Sequence, residues 1–389
     1  MREEGRIGEA AILGIGTAVP PYRIEQSEAS ARLARALGED KDVARWAKRI
    51  FHQCGVETRY TCEPELLEEA ENCRYVPGTP PERVPATDER MAVYRRESAV
   101  LGKTAALRAL LESGTAADDI THLLTVTCTG LYLPGLDAAL VRELGLRRET
   151  ERQPLQFLGC AAGLRAVCVA RTIADREPSA KILVVCVELC TLHIQPSGSR
   201  EDLYAAAFFG DGASACVIGR PDTCTAGPYF KLGAHRTVLL PESTEEMVWN
   251  IGNQGFSLYL SSRIPELLRQ FIPGEIYALL QDDELPPLWA IHPGGKGIVD
   301  AVEARMELTP EQTAASRSVL RRYGNLSSAT ILFVLQEMRE RLRLAGSKNS
   351  EGIALAFGPG LTAELLRFEY CAAVPVPAGL ADAGGQSHV

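Results

Sequence analysis

The chain has 389 residues, 46% of them hydrophobic and 23% charged, with a net charge of -9 at pH 7. This is globular composition, long enough for two core-forming halves or one large α/β body. The acidic balance argues against a nucleic-acid coat and an anionic membrane surface, though a local basic patch could still hold an anionic substrate.

In chain order, "MREEGRIGEA" opens without the hydrophobic core of a signal peptide. No apolar stretch reaches the roughly 20 residues that span a bilayer. A cytoplasmic location is therefore expected, with neither membrane nor nucleic acid as partner. Apolar runs follow at intervals: "AAILGIG", "HLLTVTC", "PLQFLG", "KILVVCV", "ASACVIG", "LWAIH" and "GIALAFG". Between most of them lie helical patterns such as "MAVYRRESAVLGKTAALRALLESG" and "ATILFVLQEMRERLRLAG". Short buried strands alternating with helices predict an α/β protein with covered sheets. The Pro- and Glu-rich segment from Thr61 to Arg90 reads as a surface excursion, and the tail from Val374 as loose. No sequence repeat is visible, but two halves meeting near residue 220 fit the strand rhythm.

Eleven cysteines at irregular spacing make neither a disulfide framework nor a metal site. Cys186 and Cys190 are four apart, but Cys186 sits in a strand-like run where core packing is the simpler reading. "GIGTAVP" puts Val19 where a dinucleotide loop needs its third glycine, and "GGKG" puts Gly297 where a phosphate loop needs Ser or Thr. Three stretches remain. Cys160 stands in "LQFLGCAAGLRAV", where a strand turns into a helix. His292 ends the strand of "WAIHPGGKG". Asn325 precedes a helix in "YGNLSSAT". Element ends are where α/β folds place reactive groups. A thiol at a helix N-terminus and near a histidine is set up as a nucleophile, with partial ionisation expected at neutral pH. His292 and Asn325 can both donate to an oxygen that becomes negative. Taken singly, each has a plain structural alternative: core cysteine, turn histidine, helix-capping asparagine.

With these stretches the chain resembles the type III polyketide synthases, the chalcone-synthase-like branch of the thiolase fold, in their bacterial form. "GIGTAVPPYRIEQSE" is similar to the family's opening, "TCTGLYLPGLD" to its first active-site loop, and Arg152 with "GCAAG" to the nucleophile motif. "FFGDGASA", "HPGG", "YGNLSSAT" and "FGPGLTAE" follow in the family's order. The resemblance implies a five-layered body of two similar αβαβα halves. Residues 1–220 would carry the nucleophile, residues 221–375 the histidine and asparagine, and residues 376–389 a loose tail. It implies that Cys160 carries the starter and growing chain, while His292 and Asn325 stabilise the enolate formed by decarboxylating malonyl-CoA. The partners would be malonyl-CoA, an acyl-CoA starter and a second copy of the chain, with no cofactor and no metal.

Phe209 and Phe256 match the gate between coenzyme tunnel and cavity. Lys48 and Arg49 fall at the coenzyme entrance, though two further basic positions of the family are occupied by Trp46 and Gln53. Leu133 matches a residue that reaches the partner's cavity. Gly358, Pro359 and Gly360 match a scaffold loop. Glu188, Cys190 and Ser327 match cavity positions. Cys128 and His193 replace the usual threonines of plant chalcone synthases, and Met247 replaces a glycine, so a small product is expected: a short pyrone or phenolic ring rather than a chalcone. The alternatives are a ketoacyl synthase III-like condensing enzyme, a thiol hydrolase and a plain cofactor-binding α/β module.

Overall fold

A computed structural model describes residues 9–38, 41–222, 227–241, 243–281 and 284–372. The expected loose tail, 376–389, lies outside the described residues. In chain order the strands and helices are β1 (Ala11–Ala18), β2 (Tyr22–Glu25), α1 (Gln26–Ala36), α2 (Lys41–Gln53), β3 (Thr58–Thr61), α3 (Thr87–Ser113), β4 (His122–Thr127), α4 (Leu136–Leu144) and β5 (Glu151–Gln156). Next come α5 (Ala162–Arg176), β6 (Ile182–Leu189), α6 (Arg200–Phe208), β7 (Asp211–Gly219), β8 (Tyr229–Leu239), β9 (Met247–Gly252) and β10 (Gly255–Leu260). Then follow α7 (Ile264–Leu280), β11 (Leu288–Ile291), α8 (Lys296–Met306), α9 (Pro310–Tyr323), α10 (Thr330–Leu344), β12 (Ser350–Gly358) and β13 (Thr362–Cys371).

Nine strands form one sheet in the order β11-β12-β13-β8-β1-β7-β6-β4-β5. A duplication is written into that order. The set β4-β6-β7-β1 is one parallel pair followed by two antiparallel pairs, and β11-β12-β13-β8 repeats the pattern. Among the described residues, the strands of the two sets pair with each other through β1 and β8, at Ala11↔Lys231 and Ile12↔Phe230. Three apolar clusters separate the layers. Side chains of α3 and α4 pack with Leu123, Leu183, Val185 and Val217 on one face of the first half. The opposite face (Leu124, Val126, Ile182, Val184) shares a cluster with α5, α10 and Ala354, Leu366 and Phe368 of the second half. Trp289, Ile353 and Leu355 then cover the other side of the second half with α7 and α8. Strand parity sends alternate residues to opposite faces, so two sheet halves buried on both sides give the five layers that the resemblance implied.

Two segment readings need correction. "PLQFLG" ends an edge strand rather than a buried one: β5 pairs with β4 alone, and most of its residues are exposed. Pro154 fits there because an edge strand has one side with no ladder to feed. The stretch from Thr61 to Arg90 is not simply a surface excursion. Cys73 and Tyr75 are buried beside Ile194, and from Thr87 the chain is already α3, whose Arg90 is fully buried. Its guanidinium donates through Nε and Nη1 to the carbonyls of Pro85, Leu192 and Ile194, so backbone carbonyls meet most of this buried charge.

Candidate active site

The nucleophile turn is built by β5 and α5. After Gln156 the backbone turns through Phe157 (φ 58°) and Gly159 (φ 65°), and a 3-10 turn over Gly159–Ala161 delivers Cys160 to the first turn of α5. Gly159 is required on two counts. Its φ is left-handed, and a Cβ there would lie 2.1 Å from Cδ of Pro359. Gly163 permits an equally close approach, because its Cβ would stand 2.0 Å from the Ser328 carbonyl oxygen. The loop Gly358-Pro359-Gly360 and the turn after Asn325 thus close on the Cys160 corner from two sides.

His292 follows β11 directly, its backbone N–H donating to the Leu355 carbonyl at 2.8 Å. That bond extends the β11–β12 ladder by one residue and fixes where the ring enters the cavity. The imidazole is buried, and neither ring nitrogen has a hydrogen-bond partner among the described residues. Asn325 sits between Gly324 and the 3-10 turn Ser327–Ala329 that starts α10. Its backbone is pinned to the gate segment, with Asn325 N donating to Phe208 O (2.8 Å) and Gly210 N donating to Asn325 O (3.1 Å). Its side-chain oxygen accepts from Ser327 N at 2.8 Å and from the Thr330 hydroxyl at 3.4 Å. Those two donors decide the amide's orientation, so Nδ2 points the other way, 3.2 Å from Gly294 O and 4.0 Å from Cys160 Sγ.

The three side chains line one cavity of about 610 Å³. Phe209, Phe256, Cys128, Cys190, His193, Met247, Ser327 and Pro359 line it too. Other sequence-predicted residues lie elsewhere. Glu188 is buried behind the wall, where it accepts from Cys128 N (3.1 Å), the Thr129 hydroxyl (2.7 Å) and the Ser328 hydroxyl. Burial still raises its carboxyl pKa. It therefore ties together the two loops that flank Cys160 rather than meeting a ligand. Leu133 is 89% exposed and does not line its own chain's cavity. Gly358 and Gly360 flank the lining residue Pro359 without lining the cavity themselves. Lys48 and Arg49 are exposed on α2 and do not line the cavity either.

Burial works against the expected thiolate. No hydrogen bond joins Cys160 to His292. Burial pushes the Cys160 thiol up to about 11, against the opposing hydrogen bonds from Ser327 and Asn325. Burial alone lowers His292 to about 3. Both groups are thus pushed toward their neutral forms, because the apolar walls disfavour either charge more than the polar neighbours favour it.

The sequence reading missed the hairpin β9–β10. Trp249, Leu258 and Leu260 line the cavity beside Met247 and Phe256. The signal was present, since "MVWNIGNQGFSLYL" alternates apolar residues around a Gly-containing turn. Arg200 was missed as well. It lines the cavity, with its guanidinium carbon 5.4 Å from the Trp46 ring and 5.5 Å from the Tyr204 ring.

The family models for chalcone and stilbene synthases match this chain, the N-terminal domain over residues 1–222 and the C-terminal domain over residues 231–370. The chain belongs to the chalcone and stilbene synthase family. It is 34% identical over 366 residues to type III polyketide synthase 21 of Oryza sativa subsp. japonica, a match that covers 92% of each chain. Among solved structures, it is similar to the C-terminal type III polyketide synthase domain of Steely1 from Dictyostelium, with a TM-score of 0.85 and 28% identity over 93% of this chain and 99% of that one. It is also similar to PKS-I of the brown alga Ectocarpus siliculosus, with a TM-score of 0.83 and 26% identity over 96% and 100% of the two chains. This chain is therefore a type III polyketide synthase of the acyltransferase class, with the thiolase-like fold of that family. No helix among the described residues is long and apolar enough to cross a membrane.

Proposed function

We propose that the enzyme loads an acyl-CoA starter on Cys160 and extends it by decarboxylative condensation with malonyl-CoA, releasing a small cyclised product. The observation that carries this reading is the convergence of Cys160, the unpartnered His292 ring and the Asn325 amide on one largely apolar cavity. In loading, Cys160 Sγ attacks the starter thioester carbonyl while neutral His292 accepts the thiol proton. The C–S bond to coenzyme A breaks, and the departing thiolate takes that proton from His292. Malonyl-CoA then loses CO2, and the electron pair of the broken C–C bond forms an enolate. The developing oxyanion accepts hydrogen bonds from His292 and from Asn325 Nδ2. The enolate carbon attacks the Cys160 thioester, a C–C bond forms, the acyl C–S bond breaks, and Cys160 leaves as a thiolate that carries the enolate's charge and can take the extended chain back from coenzyme A.

A neutral imidazole suits both roles, because one of its nitrogens can accept a proton while the other donates. The family relationship supports a homodimer and a coenzyme entrance that uses Arg49 and Lys48. An exposed apolar series, Val100, Leu107, Leu111, Leu131 and Leu133, gives such a dimer a contact face. Incubation with malonyl-CoA and a panel of acyl-CoA starters tests the reading. Condensed products and an acyl adduct on Cys160 are expected, both absent in Cys160→Ala. Thioester hydrolysis without carbon–carbon bond formation, or an adduct on Cys128 or Cys190 instead, would overturn it.

A further inference from the structure

We propose that the exposed face of α2, with Trp46 and Arg200 at the cavity opening, docks an acidic carrier protein that passes its acyl group to Cys160 from a phosphopantetheine arm, a reading that rests on the condensing reaction above.

Helix α2 has two unlike faces. Ala47, Ile50 and Phe51 are buried against Leu203 and Ala207 of α6. The other face is exposed and carries Lys41, Arg45, Lys48 and Arg49, with Asp42 as its acid. Asp42 lies 3.3 Å from Arg45. Four cations against one acid leave a surplus of three positive charges, on a chain whose net charge is -9. Lys41, Arg45, Lys48 and Arg49 follow one another at helical spacing, so the charges form a stripe. Trp46 stands in the same face, 47% exposed. Its indole is held in place, because the Arg200 guanidinium carbon is 5.4 Å from its ring and 5.5 Å from the Tyr204 ring. An exposed Trp braced by an Arg and ringed by charge has the composition of a protein-binding hot spot.

The place of this stripe says what kind of protein it serves. Arg200 is exposed and also lines the cavity, so the cavity meets solvent where α6 begins. Just beyond the other end of α2, a Cβ on Gly55 would lie 3.5 Å from Lys296 Cβ, and the next residue, Gly297, lines the cavity. The helix therefore runs alongside the opening. A partner seated on it has the reacting centre within reach of a long flexible arm, which is how a carrier protein presents a thioester. Glu201 and Asp202 line the cavity near Arg200, but Asp202 is taken by the Ser199 hydroxyl at 2.7 Å, and Arg200 forms no ion pair among the described residues. Its guanidinium can therefore meet the arm's phosphate as the arm enters.

The extent of the stripe favours a protein over a free nucleotide. Lys48 and Arg49 suffice for a compact group of phosphates at the opening. Arg45 and Lys41 stand about one and two helical turns farther off, and the face from Lys41 to His52 is roughly 16 Å long. An acidic protein surface engages that whole length, and opposite charge speeds its encounter. In the loading step Cys160 Sγ attacks the arm's thioester carbonyl. A C–S bond to Cys160 forms, the arm's C–S bond breaks, and the arm's sulfur leaves as a thiol with the proton that Cys160 gave to His292.

The test supplies butyryl, hexanoyl and benzoyl groups in two forms, as coenzyme A thioesters and as thioesters of an acidic bacterial acyl carrier protein. Acylation of Cys160 is followed by intact-protein mass. The parent should load from both forms. Loading from the carrier should fall by about tenfold or more in Lys41→Glu/Arg45→Glu, and likewise when salt is raised to screen the stripe. Loading from coenzyme A should change less than twofold in that variant, which also shows that it is folded. Trp46→Ala should lose at least as much carrier loading as the charge reversal. Loading from the coenzyme A forms but from none of the carrier forms overturns the proposal. So does an equal loss from both forms in Lys41→Glu/Arg45→Glu, which would assign the stripe to the coenzyme's nucleotide. A parent that loads from neither form would instead remove the functional reading beneath it.

Discussion

At the residue scale, the site stores its reactivity as neutral groups. A Cys160 thiol raised to about 11 is almost wholly protonated at pH 7, and a His292 lowered to about 3 is unprotonated. Alkylation of Cys160 in the free enzyme should therefore speed up with pH through an inflection near about 11. An inflection at or below the ordinary thiol value of about 8.5 would contradict the burial argument. The two donors should differ in a second measurement. Asn325→Ala removes a group aimed at the developing oxyanion, and loss of one such donor typically slows a reaction about 100- to 1,000-fold. Malonyl-CoA decarboxylation should fall by that order while starter loading falls less. His292→Ala should depress both, because His292 also takes the thiol proton. Normal decarboxylation by Asn325→Ala would leave Asn325 a purely structural role.

At the scale of elements, the corner depends on two helices meeting without side chains between them. Helix α5 and the turn leading into α10 approach so closely at Gly163 that a Cβ would overlap the Ser328 backbone. Ser328 in turn donates to Glu188, which also anchors Cys128 and Thr129. Gly163→Ala should therefore destabilise the fold by at least the ~1–3 kcal/mol usual for overpacking, since backbone has to move. Urea denaturation would measure this. A midpoint unchanged from the parent would mean that the helices can separate freely, and that the packing described for this corner is not required.

For the whole molecule, burial of neutral histidines predicts an acid limit. His193 and His292 are each lowered to about 3, against about 6.5 in an unfolded chain. The folded state binds those protons less readily than the unfolded one. Their contribution is thus fully present above about pH 6.5 and is lost as pH falls toward 3. The melting temperature should drop across that window, with a shallower acid limb in His193→Gln. Equal limbs in parent and variant would contradict the assignment. The exposed series from Val100 to Leu133 predicts a two-chain species in sedimentation, weakened by Leu111→Asp. A parent that stays monomeric at every concentration would remove the dimer.

Local pattern alone carried much of this protein. Strand-like runs and long helical patterns foretold most of the sheet and helices α3 and α10, because local residue preference and spacing repeat along the chain. The motifs around Cys160, His292 and Asn325 were legible because each needs particular residues at an element end. The duplicated strand order was not legible, since it resides in which strands pair and not in similar side chains. Nor was the protonation of Cys160 and His292, which depends on walls contributed by segments far apart in the chain. Trp249 marks the same divide. The alternation of its strand is local, but its contacts with Cys128, His193 and Phe256 arise only when three distant loops close on one cavity.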